Sequence, residues 1–412
     1  MIALKPDFSI NICCPVCQSA TVKVNSIIFQ GMHTLADSHC LSCAFEFYHT
    51  LPIGHDQIFP MKIAKDGTQA YFSQRAKDWL AQPLIKAIKN KGNRDFLIEK
   101  IGNTSAKEVI IVNCLDTCFG HVFSKTWNTY ALIDKYKDKS IIAIIPKHCT
   151  WLLPPSISET WVVDANLSEM NQWIAGLDSF IKQQFPRFES IKLSHTPTHL
   201  DNSKYINMEK VLKTKRFDLN QFDEITPQIT FVLREDRFWL NSKAYNLLFM
   251  FARKYNLQSW INPWLLIRQS LLLRQAARKI LKALPNAKLI VVGLGNKGSI
   301  PNDFSDHRVA QINNNTEILW NSIYANSHLV IGVHGSHMLI PSALAAGFIN
   351  IVPRYKIEHI VEDTVLPYQN RLLHFLGRFL DESTDPALLS SHAISMIRDF
   401  EYVYKNLNQK IE

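Results

Sequence analysis

The chain has 412 residues, of which 47% are hydrophobic and 20% are charged, a composition that excludes an intrinsically disordered protein. It is too long for one ordinary hydrophobic core and lacks both a long apolar run and a secretory signal, so we expect several domains in the cytoplasm. The 45 basic and 36 acidic residues give a net charge of +9, which indicates a solvated basic surface or an anionic partner: nucleotide, nucleic acid or lipid.

Two C-x-x-C pairs stand near the N-terminus: Cys14 with Cys17, and Cys40 with Cys43. Two short turns that each offer two thiolates can close a tetrahedral zinc site, although disulfides or an accidental pairing are alternatives. Four thiolates leave no open coordination position, so we expect a structural zinc ion. Residues 1–50 resemble a zinc ribbon, in which Cys13 could replace Cys14.

An α/β pattern follows this segment. The predicted elements are helices at residues 71–80, 83–89 and 122–137, and strands at residues 108–113, 140–145 and 161–164. The order strand, helix, strand at this spacing predicts a right-handed βαβ unit.

The loop after the first of these strands contains Asp116 and His121. Either side chain could act as a general base. Alternatively, Asp116 or Thr117 caps the following helix. Cys118 in the same loop is expected to be an ordinary buried thiol.

A polar connector is predicted at residues 201–226, and a second α/β region follows it. Its predicted strands cover residues 229–233, 288–292, 308–312, 329–333 and 348–352, and its predicted helices cover residues 262–284, 317–325 and 338–346. Residues 357–412 are expected to be mainly helical.

Phosphate-compatible groups follow three strands of the second region. They are Arg234 and Arg237, then Gly293 and Gly295, then the turn His334-Gly335-Ser336-His337. Since the carboxyl ends of parallel strands meet at one edge of a sheet, we expect these groups to lie together. Arginine forks and a glycine-serine turn that opens a helix both suit phosphate oxygens. The alternatives are a surface ion pair of Arg234 or Arg237 with a neighbouring carboxylate, and a purely structural His334.

The sequence G-x-G-x-x-G at Gly293, Gly295 and Gly298 matches the dinucleotide fingerprint letter by letter. That fingerprint needs a helix after the third glycine, whereas residues 299–306 predict a loop. We therefore expect an open loop at a strand end and no nicotinamide or flavin site. Neither a P-loop nor a G-x-S-x-G elbow is present.

Residues 105–400 resemble the GT-B glycosyltransferases. The likeness lies in Arg234-Glu235-Asp236-Arg237, similar to the arginine motif of fucosyltransferase-like enzymes, and in residues 329–353, similar to the sugar-nucleotide turn and helix of many GT-B chains. The loop Phe119-Gly120-His121 is similar in position to their acceptor-side loop. The resemblance implies an α/β fold of two Rossmann-like parallel-sheet domains preceded by the zinc ribbon. The expected boundaries are 1–60 for the ribbon, 61–200 for an acceptor domain, 201–226 for the connector, 227–356 for a nucleotide-sugar domain and 357–412 for C-terminal helices packing across the domains.

The resemblance implies a glycosyltransferase that moves a sugar from a nucleotide-sugar donor to a hydroxyl acceptor on a glycan, a lipid-linked molecule or a protein. Asp116 or His121 would be the base, and no catalytic metal is expected beside the structural Zn²⁺. The basic surface would suit peripheral contact with an anionic membrane at the inner face, and nucleic acid is not favoured. The implied donor-binding residues are Arg234, Arg237, Gly293, Gly295, His334, Gly335, Ser336 and His337.

Two other functions are compatible with the sequence. One is a sugar-nucleotide epimerase on the same fold, which needs acids and bases around one sugar. The other is a non-enzymatic nucleic-acid or assembly protein, favoured by the ribbon and the charge of +9.

Overall fold

The structure is a computed structural model that describes residues 1–8, 10–92, 96–362, 364–365 and 371–409. The chain forms two compact units, Met1–Leu200 and Asp201–Glu412, which we call the N-terminal unit and the C-terminal unit. Each contains an α/β sheet with parallel strands at its centre, as the sequence predicts. Within the described ranges, no helix combines the length and the apolar character needed to cross a membrane.

The N-terminal unit begins with strands and continues with alternating strands and helices. Its strands are β1 (Ile2–Lys5), β2 (Val22–Phe29), β3 (Thr34–Cys40), β4 (Glu46–Thr50), β5 (Lys62–Ala64), β6 (Ala70–Tyr71), β7 (Leu97–Gly102), β8 (Glu108–Asn113), β9 (Ser140–Pro146), β10 (Glu159–Asp164) and β11 (Ser190–Leu193). Its helices are α1 (Gln82–Lys89), α2 (Phe119–Lys135) and α3 (Leu177–Gln184).

The larger sheet of this unit has the strand order β1-β11-β8-β9-β10-β7. The strands β11, β8, β9 and β10 are parallel, and the edge strands β1 and β7 pair with it antiparallel. The predicted strand-helix-strand order is confirmed in β8-α2-β9, whose two strands are parallel neighbours. Its strands are runs of Ile and Val because strands inside a parallel sheet are covered on both faces.

Strands β2 to β6 form an antiparallel sheet in chain order, and together with the two C-x-x-C turns we call them the cysteine module. Its buried side chains Phe29 and Phe47 belong to the same hydrophobic core as Val109 and Ile142 of the larger sheet. The segment expected as a ribbon at residues 1–60 and the expected acceptor domain at residues 61–200 therefore share one core.

The C-terminal unit is an alternating α/β structure. Its helices are α4 (Asn202–Tyr205), α5 (Met208–Leu212), α6 (Lys243–Lys254), α7 (Gln258–Ala283), α8 (Asn314–Ala325), α9 (Leu339–Leu344), α10 (Leu372–Leu376), α11 (Pro386–Arg398) and α12 (Phe400–Leu407). Its strands are β12 (Gln228–Arg234), β13 (Lys288–Leu294), β14 (Phe304–Val309), β15 (Leu329–Val333), β16 (Gly347–Val352) and β17 (Gly377–Asp381).

The sheet of this unit has the order β14-β13-β12-β15-β16-β17, and every neighbouring pair is parallel. Strand β12 lies at the centre, between β13 and β15. Buried residues of α7 and α11 pack on it; they include Leu272, Ala276 and Ile280 from α7, and Ala393 and Ile397 from α11.

The structure corrects three expectations for this unit. The predicted connector contains α4 and α5, and its Phe217 and Phe222 are buried in the sheet's core, so apolar burial outweighs the polar composition. Phe379, expected in a C-terminal helix, lies in the edge strand β17, where successive side chains point to opposite faces of the sheet. Helix α9 has only 6 residues, shorter than the predicted 338–346, and a 3₁₀ turn at Ser336–Met338 precedes it.

Candidate functional site

The predicted convergence at one edge of the C-terminal sheet is confirmed. Strand β12 pairs with β13 so that Arg234 lies opposite Leu294, and it pairs with β15 so that Val232 lies opposite Gly332. The segments that follow the ends of these three strands therefore emerge side by side. In an open α/β sheet this carboxyl edge is where ligands bind.

Arg237 lies directly against the turn that follows β15. A Cβ atom at Gly335 would fall 1.7 Å from Nη1 of Arg237, so the guanidinium occupies the space that a side chain at this position would need. The same Nη1 is 3.5 Å from Nδ1 of His337. Arg237 of the arginine motif and the glycine-serine turn are thus in contact.

A cavity of about 420 Å³ lies beside this contact. Its cationic lining residues are Arg237, Arg253 of α6 and Lys356, and its acidic ones are Glu235 and Asp236. Glu235 Oε1 accepts the backbone N–H of Gly298 at 3.1 Å, and Asp236 binds a different arginine. Since Asp236 is paired with Arg234, the three cations are opposed only by Glu235, and the net positive charge of the lining suits an anion.

Arg234 forms an ion pair with a neighbouring carboxylate, which is the structural alternative that the sequence leaves open. Its Nε and Nη2 donate to the two carboxylate oxygens of Asp236 at 2.7 and 2.9 Å. Burial raises the pKa of Asp236, but the hydrogen bonds and charge of Arg234 outweigh burial and hold that pKa below its ordinary value. Of the two arginines, Arg237 is therefore the one that lines the cavity.

The backbone conformation after β13 explains why glycines occupy positions 293 and 295. Gly293 has φ +133°, and a Cβ atom there would lie 1.7 Å from the carbonyl oxygen of Leu233. At Gly295, with φ +107°, a Cβ atom would lie 2.3 Å from the side chain of Glu235. Residues 299–303 form a loop, as predicted, but residues 304–306 of the predicted loop belong to β14; no helix follows the third glycine directly. The carboxylate of Glu235 takes the backbone donors that a phosphate would otherwise use.

The two histidines of the turn have different surroundings. His334 is fully buried, and its Nε2 lies 3.2 Å from the carbonyl oxygen of His359, so it holds the turn. Burial, with the charges of Arg237 and Arg234, keeps the pKa of His337 well below its ordinary value, so the ring is neutral. Its Nδ1 faces the N–H donor of Arg237 and acts as an acceptor, so the single ring proton lies on Nε2. Among the described residues, that buried Nε2 has no hydrogen-bond partner.

In the N-terminal unit, Asp116 is fully buried just after β8 and is contacted by one ammonium and two imidazoles. Its Oδ1 lies 3.0 Å from Nδ1 of His121, and its Oδ2 lies 2.9 Å from Nζ of Lys125, which is one turn further along α2. Burial raises the pKa of Asp116, but Lys125 and the two hydrogen-bonding histidines, His121 and His55, outweigh it and hold that pKa well below its ordinary value. Asp116 is therefore an anion that orients His121.

Two further histidines, His55 and His199, complete this site and were not found from the sequence. His55 Nε2 lies 3.2 Å from His121 Nδ1, and the ring of His199 is centred 5.0 Å from that of His121. Burial lowers the pKa of His55 to about 4, so its imidazole is neutral. The ligand nitrogens of these three histidines lie within 4.8 Å of one another, a donor set that could also hold a transition metal.

The four predicted cysteines of the cysteine module lie together. Cys14 Sγ is 3.6 Å from Cys43 Sγ, Cys17 Sγ is 3.5 Å from Cys40 Sγ, and all four sulfur atoms lie within 4.8 Å of one another. A tetrahedral zinc ion with Zn–S bonds of about 2.3 Å needs sulfur separations of about 3.8 Å. The set could therefore hold a metal ion, and Cys13 is exposed and outside it.

The two cysteine turns share one backbone conformation. Gln18 and Ala44, each directly after the second cysteine of its pair, both have φ 59°. The N–H of Gln18 donates to the carbonyl oxygen of Cys14 at 3.0 Å, and that of Ala44 donates to Cys40 at 2.9 Å. This left-handed conformation costs a non-glycine residue about 1–3 kcal/mol. Its repetition indicates that both turns serve the same cluster.

No protein-family model matches the sequence, and a search of curated proteins finds no relative. Among solved structures, the chain is similar to the ADP-heptose LPS heptosyltransferase II of E. coli, with 8% identity, a TM-score of 0.37, and coverage of 71% of this chain and 99% of that one. It is also similar to the spinosyn forosaminyltransferase SpnP, with 10% identity, a TM-score of 0.38, and coverage of 72% and 92%. A third is a Listeria monocytogenes protein assigned as a UDP-N-acetylglucosamine 2-epimerase, with 9% identity, a TM-score of 0.34, and coverage of 74% and 91%. Similarity at this level does not carry an activity over to this chain.

Proposed function

We propose that this protein is a glycosyltransferase that binds a nucleotide-sugar donor in its C-terminal unit and moves the sugar to a hydroxyl acceptor. The observation that carries the proposal is the contact of Arg237 with Gly335 beside a cavity lined by Arg253 and Lys356. Fixed cations at the carboxyl edge of a parallel sheet suit a diphosphate. They also stabilise the negative charge that grows on a diphosphate leaving group.

In this proposal, Arg237 holds the diphosphate, and the neutral His337 lies 3.5 Å from its guanidinium and helps to position it. Arg234, Ser336 and the loop at Gly293 and Gly295 shape the rim. In an inverting transfer, the acceptor hydroxyl gives its proton to Nε2 of His121 while its oxygen bonds to the anomeric carbon. The bond from that carbon to the diphosphate breaks, and its electron pair leaves with the diphosphate. Asp116 orients His121 and balances the charge that His121 gains.

A thermal-shift panel tests the donor. The full chain is heated with UDP, GDP, CMP, dTDP and the corresponding nucleotide sugars. At 100 times its Kd, a ligand that binds the folded state stabilises it by about 2.7 kcal/mol. We expect one nucleotide class to raise Tm by about 5–10 °C. A panel in which no nucleotide changes Tm would contradict the proposal.

The same panel separates the other candidates. An epimerase also responds to a nucleotide sugar, but it interconverts two sugars and releases no nucleoside diphosphate. A non-enzymatic nucleic-acid or assembly protein responds to no nucleotide sugar and binds DNA or RNA in a salt-sensitive way.

We further propose that the four cysteines of the cysteine module bind a structural zinc ion. Metal analysis of the purified chain is expected to find one zinc per molecule, and the Cys17→Ser/Cys43→Ser variant is expected to lose it together with much of the stability of the N-terminal unit. The reason is that a structural zinc adds its binding free energy to folding. Cys13→Ser is the matched control, because Cys13 lies outside the cluster and should leave the zinc content unchanged.

Zinc retained by Cys17→Ser/Cys43→Ser would contradict this assignment. A second metal equivalent that is lost on His199→Ala would place a metal at the histidines and contradict a metal-free transfer.

A further inference from the structure

The positive charge of this protein comes from one segment of the C-terminal unit. Residues 237–302 contain 11 Lys and Arg residues and no Asp or Glu. The remainder of the chain therefore has 34 basic and 36 acidic residues, a slight negative excess. A surplus confined to one segment is not a generally solvated basic surface, and it indicates a local anionic partner.

This segment forms α6, α7 and β13, and exposed apolar side chains cover the outer faces of α6 and of the first half of α7. Along α7, Trp260 is 76% exposed, Trp264 68% and Ile267 56%, at the spacing of one helical stripe. The buried face of α7 carries Leu265, Leu272 and Ala276, so the helix is apolar on two sides. A helix at the surface of a globular domain normally has a polar outer face.

Helix α6 carries a second apolar surface. Leu247 is 70% exposed, Met250 47% and Phe251 50%, and a wide groove of about 1100 Å³ runs along this face. Exposed apolar side chains that line one groove mark an interaction site, whereas single exposed apolar residues do not.

Basic side chains surround these apolar residues. Lys243, Arg253 and Lys254 of α6 are exposed, as are four cations toward the end of α7: Arg274, Arg278, Lys279 and Lys282. Helices that lie in the interface of a membrane typically carry an apolar stripe with tryptophan or tyrosine, flanked by Lys and Arg.

We propose that α6 and α7 dock this protein on an anionic membrane surface. The apolar stripe enters the headgroup region, and the cations bind the lipid phosphates. A second copy of the chain fits less well, because two acid-free faces would repel each other. Nucleic acid fits less well, because the face combines Trp260 and Trp264 with aliphatic side chains such as Leu247, Met250 and Ile267, which contribute no base stacking.

The docking face and the donor cavity share α6 and α7. Arg253 and Asn262 line the cavity, so a docked molecule holds that cavity close to the lipid headgroups. A lipid-linked acceptor is the acceptor class that such a position favours. This choice of acceptor rests on the proposed transferase function, whereas the docking itself rests only on charge and exposure.

Vesicle co-sedimentation of the full chain tests the docking. Vesicles of phosphatidylcholine alone are compared with vesicles that also contain phosphatidylglycerol, in low and high salt. We expect at least tenfold tighter binding to the anionic vesicles, most of it lost between about 0.1 and 1 M salt, where the screening length falls from about 10 to 3 Å. Trp260→Ser/Trp264→Ser should weaken binding at least tenfold with no fall in Tm, and nucleotide-induced thermal shifts should persist.

Ile318→Ser is the matched control, because Ile318 is 60% exposed on α8, outside this face. This variant should bind vesicles as the unmodified chain does. Equal binding to neutral and anionic vesicles, or unchanged binding of the tryptophan variant, would overturn the docking. So would sedimentation equilibrium that shows a dimer of the unmodified chain and a monomer of Trp260→Ser/Trp264→Ser. Because nucleotide binding is measured separately, failure of the docking leaves the proposed donor site standing, and the reverse also holds.

Discussion

Arg237→Ala is expected to lower kcat/KM for the nucleotide-sugar donor by about 10²–10³-fold, which corresponds to about 2.7–4 kcal/mol of transition-state stabilisation. The guanidinium of Arg237 lies at the turn of Gly335 and lines the cavity, so its charge would act on the departing diphosphate. The measurement is donor-dependent release of nucleoside diphosphate, with the nucleotide identified by thermal shift. The thermal shift itself should shrink in the variant, because ground-state binding loses the same cation.

Gly335→Ala tests the same contact from the other side. The added Cβ would lie 1.7 Å from Nη1 and 3.0 Å from Cζ of Arg237, so the guanidinium must move while its charge is kept. We expect a loss of similar size. If Gly335→Ala alone left turnover intact, the position of the charge would not matter, and the proposed role of the turn would be wrong.

Arg234→Ala is the matched control for the arginine motif. Arg234 already binds Asp236 through two hydrogen bonds, so its loss should reduce turnover less than the loss of Arg237. A larger effect at Arg234 than at Arg237 would reverse the assignment and return the diphosphate to the first arginine.

The edge of the C-terminal sheet could be predicted from the sequence because its strands are covered on both faces. Such strands are short apolar runs, and parallel pairing then places their carboxyl ends together. The roles of the side chains at that edge could not be predicted. Whether Arg234 or Arg237 lines the cavity, and whether His334 or His337 faces an arginine, depends on the path of the chain after each strand.

The histidine site shows a different limit. Asp116 and His121 could be found because they lie in one loop after a predicted strand. His55 is 66 residues from His121 along the chain, and no local pattern connects it or His199 to that loop. Tertiary packing alone brings them together. The exposed stripe of α7 is an intermediate case, since the absence of acids is visible in the sequence but the outward direction of Trp260 and Trp264 is not.

His121→Ala is expected to lower kcat by about 10²–10⁴-fold and to leave the nucleotide-induced thermal shift unchanged. The reason is that His121 would remove the acceptor proton and belongs to the N-terminal unit, whereas the proposed donor contacts belong to the C-terminal unit. Rapid-quench or steady-state measurement of donor turnover at saturating donor gives kcat. A variant with unchanged kcat would exclude His121 as the base.

Asp116→Asn separates orientation of the base from stability of the fold. The change keeps the shape of the side chain but leaves the ammonium of Lys125 buried without its anion, and breaking such a pair costs about 3–5 kcal/mol. Lys125→Met added to Asp116→Asn removes the orphaned charge and should recover most of the free energy of unfolding. It should not recover turnover, because a neutral amide does not balance the charge that His121 acquires. Recovery of both quantities together would mean that Asp116 serves only the fold.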